Sequence, residues 1–96
     1  MKINGTDYTA PALTFANVCT LESWGLQMDS LASRPLGFLA GYVALAIGGK
    51  TLEEGEAAID AHLAGGGDLS ELTEALNGAI NASGFFGGQT GQSVKD

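Results

Sequence analysis

The sequence predicts a mainly α fold: a small four-helix domain with a short N-terminal β-hairpin and a flexible glycine-rich C-terminal tail. Three observations carry this. Ile3-Asn4-Gly5-Thr6-Asp7-Tyr8 sets Asn-Gly between apolar flanks, and both residues tolerate the positive φ that a primed two-residue turn requires. Two capping patterns, Thr51-Leu52-Glu53-Glu54 and Asp68-Leu69-Ser70-Glu71, each open an apolar series at helical spacing. Glycines at 25, 48–49, 65–67 and 84 punctuate the chain at the ends of those series. A hairpin of this size is not stable alone in water, so it is expected to lie on the helices.

The first helix is expected from Phe15 to Trp24, with Thr14 as N-cap and Gly25 as the left-handed stop. Leu13 and Val18 then fall at the two hydrophobic-staple positions. Its buried side is expected to be Phe15, Val18, Cys19 and Leu21. Leu26 to Ser33 reads as a connector, with Leu31 as a plug into the core. The second helix begins at Pro35, a residue suited to the first helical position. Phe38, Tyr42 and Leu45 make one apolar stripe; Leu36, Leu39, Val43 and Ile47 make another. A helix apolar on most sides is central, and its small residues Gly37, Ala40, Gly41, Ala44 and Ala46 permit close approach of its neighbours. If those neighbours cover only one stripe, the other remains for a partner. The third helix, capped by Thr51, turns Leu52, Ile59 and Leu63 inward and stops at the triple glycine. In the fourth, Leu69, Leu72, Leu76 and Ile80 keep a three- and four-residue spacing up to Gly84. Phe85-Phe86 is expected to pack back on the bundle or to stand as an aromatic anchor. Residues 1–86 thus form one domain and 87–96 a flexible tail.

The chain has 96 residues, 45% of them hydrophobic, and a net charge of −7. Residues 1–50 are balanced, whereas 51–94 hold seven acids and no Lys or Arg. An acidic half of this kind opposes nucleic acid and anionic membranes, which require basic surfaces. It favours solubility and attraction to basic partners. The longest apolar stretch, Leu36 to Ile47, is 12 residues, well short of the roughly 20 that span a bilayer. A polar, hairpin-like start does not read as a signal peptide, and a cytoplasmic protein is expected.

No residue pattern points to catalysis, a metal or a cofactor. Cys19 is the one cysteine and sits in an apolar helical pattern, so a buried, inert thiol is expected. His62 is the one histidine, and its i−4 and i+4 neighbours are Ala58 and Gly66, which excludes a paired helical metal site. The triple glycine lacks the Lys of a phosphate loop, and Asp68 and Glu71 already supply carboxylates to the following helix start. Glu53, Glu54 and Glu56 favour the helix dipole and do not match an EF-hand spacing. Asp29-Ser30-Leu31 is similar to the site where acyl and peptidyl carrier proteins receive phosphopantetheine on Ser. Carriers, however, continue at once into an acidic helix; here Ala32-Ser33-Arg34-Pro35 intervenes and the next helix has no acid.

Taken in order, Ile3-Asn4-Gly5 with Tyr8, Leu21-Glu22 with Gly25, Leu31, the apolar helix, Thr51 with Glu53-Glu54, and the late leucine helix resemble the tail assembly chaperones of long-tailed bacteriophages. The resemblance spans about residues 3–86 and rests on order and spacing. It implies a non-enzymatic protein of the host bacterial cytoplasm, absent from the mature virion. Such a protein binds the tape-measure protein, keeps it soluble, and helps recruit tail tube subunits through a longer, frameshifted form. A groove of small and apolar side chains suits that task. The expected partner-binding residues are Phe38, Tyr42 and Leu45, with Phe85 and Phe86 at the groove edge. The apolar second helix permits self-association, and no heptad pattern sets a number of chains. The alternatives are a carrier protein modified on Ser30 and a generic helical adaptor.

Overall fold

The computed structural model describes residues 1–27 and 29–83. Two short strands, β1 (Lys2–Ile3) and β2 (Thr6–Asp7), are followed by five helices: α1 (Phe15–Ser23), α2 (Ser30–Ser33), α3 (Pro35–Ala46), α4 (Leu52–Ala64) and α5 (Ser70–Ser83). The four longer helices stand in the predicted order, and the connector contains one additional turn, α2. The expected Gly84 stop, Phe85-Phe86 and the tail lie outside the described residues.

The strands pair antiparallel, Lys2 opposite Asp7 and Ile3 opposite Thr6. Asn4 (φ 51°) and Gly5 (φ 83°) both take positive φ, as a type I′ turn demands. Ile3 is buried, and the hairpin is tied down at two points. Lys2 N–H donates to Glu71 Oε2 (2.9 Å), and Asn4 N–H donates to His62 Nδ1 (2.8 Å).

α1 begins as expected, with Thr14 Oγ1 accepting from Asn17 N–H at 3.1 Å. It ends in a Schellman motif: Gly25 is left-handed (φ 84°), Leu26 N–H reaches Leu21 C=O (3.0 Å) and Gly25 N–H reaches Glu22 C=O (2.9 Å). That motif brings the residue after the glycine against the last inward residue of the helix. Leu21 and Leu26 are accordingly both fully buried. Leu26 is therefore the main plug of the connector, and Leu31 packs half-buried beside the core.

Two expectations for α1 are corrected. Phe15 is 74% exposed, and the thiol-bearing Cys19 is exposed as well. Val18 and Leu21 set the inward face, and Cys19, one residue past Val18, is rotated about 100° from it. At the helix start Leu13 closes the core in place of Phe15.

α3 is the central element, with every residue from Phe38 to Ala44 buried. Its small residues set how close the neighbours come. A side chain on Gly41 would stand 2.5 Å from Leu26 Cδ1 and 2.8 Å from Leu21 Cδ2. α4 runs back against α3 and is held closest at Gly55, where an added Cβ would overlap the Ala40 carbonyl oxygen and press on Ala44. α4 starts on Thr51, whose Oγ1 accepts from Glu54 N–H at 3.3 Å. Glu54 Oε2 closes the reciprocal bond one residue early, on Lys50 N–H at 3.2 Å. Gly66 (φ 95°) ends α4 in a second Schellman motif, with Gly67 N–H on His62 C=O at 2.9 Å. Asp68 Oδ1 then accepts from Ser70 N–H (2.9 Å) at the start of α5, whose Leu72 and Leu76 are buried.

Candidate apolar groove between α3 and α4

The residues expected to bind a partner divide three ways. Phe38 and Tyr42 have no exposed surface: their stripe of α3 faces the core. Tyr42 also spends its hydroxyl internally, donating to the Pro11 carbonyl at 2.6 Å. The expectation that they line a groove is therefore corrected; both side chains are enclosed in the core. Leu45 is half-buried and packed on the core. Phe85 and Phe86 lie outside the described residues.

The second stripe of α3 is the one left partly open. Leu36, in the first turn of α3, is 67% exposed, and Leu63, in the last turn of α4, is 44% exposed. The two helices run antiparallel, so these turns face each other. Between them lies a groove of about 290 Å³, floored by Leu39, Ala40 and Ile59 and closed at one end by Leu69. Glu56 and Asp60 form its α4 wall. Neither carboxylate has a hydrogen bond or ion pair among the described residues. Leu63, expected to face inward with Leu52 and Ile59, is thus an edge residue. Its place in the apolar series of α4 was legible; its exposure depends on where α3 begins.

A second, polar notch surrounds His62, with Lys2, Asn4, Gly65, Gly66, Gly67, Asp68 and Glu71. Both ring nitrogens are already engaged: Nδ1 accepts from Asn4 N–H (2.8 Å) and Nε2 lies 2.8 Å from the Asp68 carbonyl oxygen. A side chain on Gly67 would stand 2.5 Å from the ring. The notch is therefore a fastening between hairpin, α4 and α5, a role no local spacing announces. Among the described residues no group of three or more His, Cys, Asp or Glu is placed to hold a metal ion. No described helix is long and apolar enough to cross a membrane.

Ser30 is buried, and its Oγ accepts from Gln27 N–H at 3.2 Å in the turn that opens α2. Ser30 thus opens α2 as a buried, hydrogen-bonded residue and not as an exposed one.

Comparison with known proteins adds no relative: no family model, curated protein or solved structure matches the chain.

Proposed function

We propose that this chain is a non-enzymatic tail assembly chaperone of a long-tailed bacteriophage. It binds helical segments of the tape-measure protein and keeps them soluble in the host cytoplasm until the tube assembles. A longer, frameshifted form would bring tail tube subunits to the complex, and neither form would remain in the virion. The observation that carries the binding half of this reading is the α3–α4 groove, which collects two of the three exposed large hydrophobic residues of the described chain. A scattered exposed leucine needs no explanation, but paired leucines over an apolar floor suit helix-in-groove recognition. The acid-only stretch 51–94 supplies charge to keep an apolar partner in solution.

The order of hairpin, capped helix, apolar helix and late leucine helix supports the same reading. The carrier alternative is disfavoured by the burial of Ser30. It would require a mass gain of one phosphopantetheine on Ser30 after incubation with a transferase. A generic adaptor would share the fold and differ in partner.

The deciding experiment is co-expression with the long, helix-rich protein encoded just downstream. The reading holds if that protein is insoluble alone and becomes soluble and co-purifies with this chain. Persistent insolubility without capture overturns it.

A further inference from the structure

We propose that the α3–α4 groove selects a helix whose apolar ridge is flanked by Lys or Arg, read by Glu56 and Asp60. The inference deepens the chaperone reading, on which it rests for the identity of the partner. Glu56 and Asp60 stand one helical turn apart on the groove wall. Like charges at that spacing disfavour the helix that carries them, and no cation of the described chain relieves the pair. Arg34 lays its guanidinium beside Gly37 on the α3 side and makes no ion pair among the described residues. A basic residue from outside would remove that repulsion while its neighbours seat on Leu36, Ile59 and Leu63.

Charge decides between occupants. A second copy docked symmetrically through the same groove would bring its own Glu56 and Asp60 towards this wall.

Two model helices test this on the full chain: an amphipathic Leu/Lys peptide and a Leu/Glu peptide with the same apolar face. In an NMR titration the Leu/Lys peptide should shift the amides of Leu36, Ile59 and Leu63 saturably. The Leu/Glu peptide should bind about tenfold more weakly or worse. Leu63→Glu and Leu36→Glu, both at exposed positions, should each weaken Leu/Lys binding about tenfold. Glu56→Gln with Asp60→Gln should weaken it and flatten its salt dependence. Phe15→Glu, away from the groove, should change nothing. Equal binding of the two peptides, or shifts elsewhere on the surface, overturns the proposal. So does a concentration-dependent dimer that Leu63→Glu dissociates, since the occupant is then a second copy. Co-expression separates the two readings. Capture of the downstream protein by the groove variants as well as by the parent chain refutes the groove and leaves the chaperone reading standing. Saturable Leu/Lys binding without such capture does the reverse.

Discussion

The backbone N–H of Asn4 donates to Nδ1 of His62 over 2.8 Å, so the turn of the hairpin hangs on the last turn of α4. An imidazole nitrogen that accepts carries no proton. The proton of the neutral ring is therefore on Nε2, which donates to the Asp68 carbonyl oxygen at 2.8 Å. The charged groups around the ring are Lys2, Asp68 and Glu71.

His62→Ala should cost about 1 kcal/mol, the usual worth of an intramolecular hydrogen bond, and should loosen the hairpin first. Hydrogen exchange at the Asn4 amide reads this directly and should accelerate while amides of α3 keep their protection. Nitrogen chemical shifts of the ring should report the Nε2–H tautomer. An Asn4 amide that exchanges alike in both chains would refute the fastening.

Two glycines inside helices should respond to alanine with opposite sign. Gly55 faces the Ala40 carbonyl oxygen and Ala44, whereas nothing lies within 4 Å of a Cβ placed on Gly78. Gly78→Ala should stabilise by about 0.5–1 kcal/mol through helix propensity and a less free unfolded chain. Gly55→Ala gains the same propensity but must push α4 off α3, an overpacking cost of about 1–3 kcal/mol. Urea or thermal melts of the two variants should therefore move in opposite directions.

Burial pushes the Tyr42 hydroxyl above its ordinary value of 10.0. The folded chain thus holds that proton more tightly than the unfolded chain. The corresponding stability is fully present below about pH 10 and is lost as the pH rises through the folded-state value. Tyr42→Phe should remove the bond to the Pro11 carbonyl, at a cost of about 1 kcal/mol near neutral pH. It should also flatten the alkaline fall in stability. Melts of both chains between neutral and strongly alkaline pH would show the curves converging if the argument holds.

Cys19 lies on the outward side of α1. A disulfide reagent should label it in the native chain without denaturant, at a rate close to that of the urea-unfolded chain. Protection by a large factor would return the thiol to the interior.

The sequence by itself determined the features made by residues within a few positions of one another. Asn4-Gly5 dictates a turn with two positive φ values, Thr14 and Thr51 cap the next backbone amides, and Gly25 and Gly66 reverse the chain where an L side chain would be strained. These are local interactions, so order, type and approximate ends of the longer helices followed from spacing alone. Tertiary structure decided what several elements settle jointly. α3 is apolar on nearly every side, so its periodicity does not say which stripe is covered. That choice came from Gly41 seating Leu21 and Leu26 and from Gly55 seating α4 on Ala40 and Ala44. Those contacts enclose Phe38 and Tyr42 and leave Leu36 facing Leu63 over an acid-walled groove. Leu13 taking the place expected for Phe15, and His62 bridging Asn4 to Asp68, likewise depend on distances between segments far apart in the chain. A residue's spacing shows which face of its helix it occupies, and only packing shows what lies opposite that face.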